Sequence, residues 1–155
     1  MNIELLTKIA EWLEGGAKHQ TMQFDMTTGI TFNEEEFDPD DATECQSSCC
    51  IAGAAVQFHG ETQGLVDTMF EQDEQLEGGE MPWWMVREKA ADALGLDRLV
   101  ARGLFDPANY DENGREVFGL GRLSEYNDPA WAARVIRKLI ATGNIDWVGT
   151  RPSVY

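Results

Sequence analysis

Apolar residues recur along this chain at helical spacing far more often than in the alternation of strands. Ile3, Leu5, Leu6, Ile9, Ala10, Trp12 and Leu13 share one helical face and Gly15-Gly16 stops it, which predicts a first helix over residues 2–14. Pro82 in a first-turn position opens PWWMVREKAADALGL, with Trp84, Val86, Ala90, Ala91, Ala93 and Leu94 as its apolar side and Gly95 as its stop. LDRLVARGLF predicts a short helix that ends at Gly103. Asp128-Pro129 caps and starts AWAARVIRKLIATG, where Trp131, Val135, Ile136, Leu139 and Ile140 lie together and Gly143 terminates.

Two weaker helical stretches precede these. One begins at Cys49, with Ser47 or Ser48 as its cap, runs through the small residues of IAGAAVQF and ends at Gly60. The other lies within residues 64–80 and uses Leu65, Val66, Met69, Phe70 and Leu76 ahead of a Gly78-Gly79 joint. Alternation is confined to Met22, Phe24 and Met26, then Ile30 and Phe32, which predicts a short strand or hairpin near residues 22–32. Pro39 and its acidic neighbours read as loop, and Glu112-Asn113-Gly114 as a turn. The fold expected is mainly α, with α+β as the alternative: a single compact helical domain over residues 1–155, with core packing for Phe24, Met26 and Phe32.

Length and composition agree with one domain, since 155 residues at 43% hydrophobic content allow one ordinary core. No apolar run reaches the roughly 18 residues of a membrane span, and the start lacks the basic and apolar regions of a signal peptide. A soluble protein of the cytoplasm is therefore expected. Three cysteines, an odd count, point to reduced thiols.

Charge changes this picture more than composition does. The net charge is −16, and the 68 residues between Lys18 and Arg87 hold fifteen acids and no Lys or Arg. From Arg87 onward ten basic residues face ten acids. The chain thus divides into an acidic half, 19–86, and a charge-balanced helical half, 87–155. Such a field repels nucleic acid and anionic membranes and draws in basic surfaces by salt-sensitive steering. The candidate contacts are Glu34, Glu35, Glu36, Asp38, Asp40, Asp41, Glu71, Asp73, Glu74 and Glu77, with Trp83, and Trp84 beside it, as an aromatic anchor next to the acidic tract. A purely solubilising acidic face is the bland counterpart.

The three cysteines fall within six positions, as ATECQSSCCIAGAAVQFHG. Cys45, Cys49, Cys50 and His59 have the side-chain chemistry of zinc ligands, but intervals of four, one and nine residues do not match a C-x-x-C knuckle. A helix N-terminus would favour a thiolate at Cys49 or Cys50. Acidic surroundings oppose it, and His59 lies about two and a half turns along the same helix. Buried structural cysteines are the favoured reading. No phosphate-binding glycine loop, G-x-S-x-G, H-E-x-x-H or EF-hand loop is present, although weak divalent-cation binding by Asp38, Asp40, Asp41 and Glu44 stays open. No cofactor and no enzymatic activity are expected.

Cys45 and Cys50, followed by Ile51-Ala52-Gly53-Ala54-Ala55, resemble the C-G-T-x-x-C-x-A-G-W-A signature of a family of small proteins encoded by phages, plasmids and their bacterial hosts. Phe24-Asp25-Met26 is similar to the family's F-D-M, Ala93-Leu94-Gly95-Leu96 to its L-L-G-L and Leu104-Phe105 to its L-F. Ala132-Ala133, Thr142-Gly143 and Asp146-Trp147 are similar to its closing A-A, T-G and D-W. Gln46-Ser47 replaces the family's Gly-Thr, Ala54 its Trp, and Cys49 is additional. The resemblance implies a phage or mobile-element setting and carries no activity.

That setting and the one-sided charge lead to an expected inhibitor that binds a basic nucleic-acid-binding host protein or complex. It would be anti-CRISPR-like, with carboxylates standing where phosphates would. Direct nucleic-acid or membrane binding is not expected, and a homodimer stays open. The alternatives are a zinc- or thiol-dependent enzyme built on Cys45, Cys49, Cys50 and His59, and an accessory protein whose acidic face contacts nothing specific.

Overall fold

A computed structural model of the chain describes residues 1–153 other than 20–21, 34, 36, 41–46, 112, 114 and 117–121. Among these described residues, six helices and a small sheet make the fold mainly α: α1 (Ile3–Glu14), β1 (Met22–Phe24), β2 (Ile30–Phe32), β3 (Ser47–Cys49), α2 (Ile51–Phe58), α3 (Thr62–Glu71), α4 (Trp83–Leu94), α5 (Arg98–Phe105) and α6 (Pro129–Thr142). A 3-10 turn, Leu123–Tyr126, precedes α6.

Several helix ends follow the chemistry read from the sequence, whereas the first helix starts at Ile3, one residue later than expected, because Asn2 is its cap. Asn2 caps α1, its side chain accepting from Leu5 N–H, while its own Nδ2 donates to Ala93 O at 3.1 Å and its backbone N–H to Leu94 O at 2.6 Å. The start of α1 thereby satisfies carbonyls that the end of α4 leaves open. Asp128 caps α6 through Trp131 N–H, with Pro129 in its first turn. Gly95 and Gly143 close α4 and α6 in the left-handed conformation. The stop predicted at Gly103 differs, since α5 runs past it to Phe105. Gly103 is buried there, and its carbonyl accepts the Trp147 indole N–H at 3.0 Å.

Residues 22–32 do not form a hairpin. β3 lies between the two predicted strands, parallel to β1 and antiparallel to β2, giving the order β1-β3-β2. Thr27 donates its N–H and its hydroxyl to Asp25 Oδ1 at 2.9 and 2.7 Å, so residues 25–28 form their own turn. Asp25 N–H then bonds Cys49 O at 2.9 Å and Cys50 N–H bonds Thr28 O at 3.0 Å, locking β3 in place. The cysteine segment is thus a strand running into a helix. Its helix starts at Ile51 with Cys50 as N-cap, two residues later than the serine-capped start expected at Cys49. The outer edge of β2 is covered by residues 79–81, through Phe32 N–H to Gly79 O at 2.8 Å and Met81 N–H to Ile30 O at 2.9 Å. The turn expected at Glu112-Asn113-Gly114 falls partly outside the described residues, and Tyr110 and Glu116 pair across it.

One hydrophobic cluster extends from Leu5 to Trp147 through every helix. α2 is its centre, packed on α1, α4 and β3, and α1 lies along α6. Met26 and Phe32 are buried in the core and Phe24 packs against it, as expected from the alternation. At the far end Tyr126 stacks on Trp131 at 5.1 Å, and both meet Trp147 edge-on at 5.3 Å. The Trp131 indole donates to Trp147 O at 2.9 Å, so the apolar rings are buried with their N–H groups satisfied.

Gly53 explains the small residues of α2. A Cβ there would overlap the backbone oxygen of Gly29 and stand 2.6 Å from Cys49 Cβ and 3.0 Å from Ile30 Cγ1. Two of these obstacles are close to the main chain and cannot rotate away. Gly53→Ala is expected to destabilise the fold by about 3 kcal/mol, the upper range for overpacking a tight core. Ala54→Gly on the same helix is expected to cost about 1 kcal/mol from helix propensity, plus the loss of its buried methyl. Urea denaturation of both variants measures the difference, and equal losses would contradict the close approach at Gly53.

Candidate functional site

Chain reversals concentrate the acidic tract. α3 ends at Glu71, and Asp73 adopts φ 54°, a left-handed conformation uncommon outside glycine, so that Glu74 N–H returns to Met69 O at 3.0 Å. Residues 77–80 form a tight turn with Glu80 N–H on Glu77 O at 3.1 Å. Its central residues, Gly78 at φ 61° and Gly79 at φ 76°, occupy the conformation that two-residue reversals demand. Pairing of Glu80 with Thr31 fixes this turn to β2, and Pro82 then starts α4.

These reversals enclose an open groove of about 630 Å³, lined by Asp73, Glu74, Gln75, Glu77, Glu80, Met81, Pro82, Trp83 and Trp84. Four carboxylates and two indoles face the same space. Among the described residues no Lys or Arg lies within 4 Å of any of the four carboxylates. Glu80 Oε1 accepts from Gly29 N–H at 3.4 Å, a contact at the long limit that leaves most of its acceptor capacity free.

The two tryptophans are held differently. Trp83 packs against Gly29, where a Cβ would come within 2.9 Å of its ring, and is half-buried. Trp84 is 44% exposed, which corrects its placement on the apolar side of α4. The buried residues of α4 are Met85, Val86, Ala90, Ala91 and Leu94. Trp84 precedes Val86 by two positions, about 200° around a helix of 3.6 residues per turn, so it points away from that face. Trp84 also borders a second groove of about 250 Å³ between α3 and α4, together with Glu88, Asp92 and Lys89. That lysine is engaged by Glu61 at 2.9 Å.

Of the candidate contacts, the structure brings Asp73, Glu74, Glu77, Trp83 and Trp84 into one groove and adds Glu80. Glu80 was legible as an acid but its direction depends on the bridge to Thr31, which no sequence pattern marks. Glu71 is exposed on the end of α3 and does not line the groove. Glu35, Asp38 and Asp40 are exposed in the loop after β2. There Asp40 N–H bonds Asp38 Oδ1 at 2.9 Å, and Gln63 ties the loop to α3 through Pro39 O at 2.7 Å. Glu34, Glu36 and Asp41 lie outside the described residues, as do Glu44 and Cys45.

The cysteines form a different environment. Cys49 and Cys50 are fully buried free thiols. Burial pushes the Cys50 thiol up to about 12 against the opposing pull of the Gly53 and Ala52 backbone N–H groups. Burial also raises Cys49 well above the ordinary thiol range, helped by its neighbour Cys50. His59 is exposed at the opposite end of α2, about 13 Å from Cys50 along the axis by the rise of a helix. Among the described residues no three His, Cys, Asp or Glu side chains converge as a metal would require. No helix among those residues is long and apolar enough to cross a membrane.

Compared with known proteins, the chain matches no family model, no curated protein and no solved structure.

Under native conditions a thiol alkylating reagent is expected to leave Cys49 and Cys50 unmodified, and to modify both once the chain is unfolded; peptide mapping distinguishes the two. Because the folded state holds Cys50 protonated while the unfolded thiol ionises near 9.0, the unfolded chain binds fewer protons above that pH. Stability from this group is therefore complete below pH 9.0 and declines up to about pH 12. Rapid native labelling of Cys50 at neutral pH would contradict this burial.

Proposed function

We propose that the protein acts by binding a basic partner protein, and that the groove bounded by Asp73, Glu74, Glu77, Glu80, Trp83 and Trp84 is the centre of that contact. One observation carries the reading: four carboxylates without a cationic partner share an open groove with an exposed tryptophan. Each unpaired carboxylate adds to a local negative field that an incoming guanidinium or ammonium relieves, and the indole faces attract the same groups. Exposed Glu35, Asp38, Asp40 and Glu71 extend the field beyond the groove.

A protein whose own ligand is a phosphate backbone presents the clustered Lys and Arg that such a groove would take. Its basic site would meet carboxylates in place of phosphates, and occupancy would exclude nucleic acid. Together with the resemblance to phage- and plasmid-encoded proteins, this favours a stoichiometric, anti-CRISPR-like inhibitor acting in the host cytoplasm. Rival chemistry at the cysteines has less support, because the two described thiols are buried and protonated and His59 is remote from them.

An oligo-arginine peptide serves as the minimal basic partner, with intrinsic tryptophan fluorescence and calorimetry as readouts. Binding is expected to weaken steeply as salt rises. The triple reversal Asp73→Lys, Glu74→Lys, Glu77→Lys is expected to weaken it by about 100-fold, and Trp84→Ala by about tenfold, or roughly 1.4 kcal/mol. Unaltered affinity in the triple variant would remove the groove from the account.

A further inference from the structure

Further along α4 the charge pattern inverts. Arg87 and Ala91, four positions apart, share a face of α4, and Arg98, Ala101 and Arg102 share a face of α5. Between these faces lies a recess of about 50 Å³, lined by the same five residues and Glu88. Ala91 and Ala101 are buried, and their short side chains leave the room that the arginines surround. The space is far smaller than the roughly 300 Å³ and upward of pockets that enclose drug-sized molecules, and suits one small group.

The arginines differ in how far they are already engaged. Arg98 donates to Glu88 Oε1 at 3.0 Å and is largely exposed. The Arg102 guanidinium lies over the Tyr110 ring at 5.5 Å, a contact with its face that leaves its N–H edge free. Arg87 has no hydrogen bond or ion pair among the described residues. It acts electrostatically on the buried carboxylate of Asp106, which Asn109 Nδ2 also holds at 3.0 and 3.2 Å. Arg87 and Arg102 are both partly buried, and each guanidinium carries five N–H donors in a planar fork that matches two oxygens at once.

We propose that this recess is an oxyanion subsite that takes a phosphate group, gripped by Arg87 and Arg102 with Arg98 at its rim. The overall charge of −16 does not forbid it, because the ten basic residues from Arg87 onward balance the ten acids of that half. The acidic tract beyond is screened over about 8 Å at physiological salt. Glu88 is the one acid in the lining and competes for Arg98, so its removal should strengthen the site. The inference is independent of the acidic groove and of its proposed partner.

The test is an amide NMR titration of the full chain at constant ionic strength, with inorganic phosphate in one arm and a nucleoside 5′-monophosphate in the other. Saturable shifts at Ala91, Ala101 and Arg102 with either probe are expected, and the tighter probe identifies the free ion or the ester as the source. Arg87→Gln should weaken binding by about tenfold, Arg102→Gln by a similar factor, and Glu88→Gln should tighten it about threefold. A merely structural role for these surface arginines would not reproduce the opposite effect of Glu88→Gln. Absence of saturable shifts with both probes, or equal affinities across the three variants, would overturn the proposal.

Discussion

Close approach of two glycines governs this structure. Gly53 brings α2 onto the backbone of Gly29, at a distance no side chain at position 53 would permit. Gly29 in turn leaves the space into which Trp83 packs, and its N–H reaches toward Glu80. A contact made for packing therefore sets the position of α4 and of one wall of the acidic groove. The adjoining cysteines belong to the same arrangement: Cys49 ends the central strand, Cys50 caps the helix, and both are sealed from solvent. The small-residue motif that first suggests chemistry is thus the place where strand and helix are fitted together.

The groove shows the opposite economy. Its carboxylates repel one another and gain nothing from internal ion pairs, while the ion pairs among the described residues form elsewhere, Lys89 on Glu61, Arg137 on Glu14 and Lys138 on Asp146 being three of them. Exposed pairs of that kind contribute little to stability, so their arrangement matters more for where charge remains unbalanced than for the strength of the fold. Left-handed Asp73 and the Gly78-Gly79 turn, both fixed by backbone hydrogen bonds, keep the unbalanced charges together beside an exposed indole. An unrelieved field held on a fixed scaffold is suited to capture of a cationic surface, because little ordering of the site remains for the partner to impose.

Much of the helical framework was legible because caps and stops act locally. Asp128-Pro129, Gly95 and Gly143 mark their helix ends with chemistry that needs no distant partner. The strand character of residues 22–32 was legible from alternation, but the central strand was not: Ser47–Cys49 is a strand only through its pairing with residues far away in sequence. Its insertion turned the anticipated hairpin into two separated strands. Among the site residues, the acids and Trp83 stood out by charge and position, whereas Trp84 was misplaced because its hydrophobicity outweighed its angle on the helix. Glu80 acquired its direction from a tertiary bridge. Arg87, Arg98 and Arg102 gave no signal as a group, since it takes the packing of α4 against α5 to set them around one recess.

We propose that an unpaired carboxylate field selects a basic, nucleic-acid-binding partner. Affinity capture from host extract on the tagged full chain, beside the Asp73→Lys, Glu74→Lys, Glu77→Lys variant, tests it most directly. The wild-type chain should retain a defined basic nucleic-acid-binding complex that elutes as salt is raised and that the variant fails to retain. Equal retention by both chains, or retention of no basic protein by either, would contradict the claim and leave the acidic half as a solvated face.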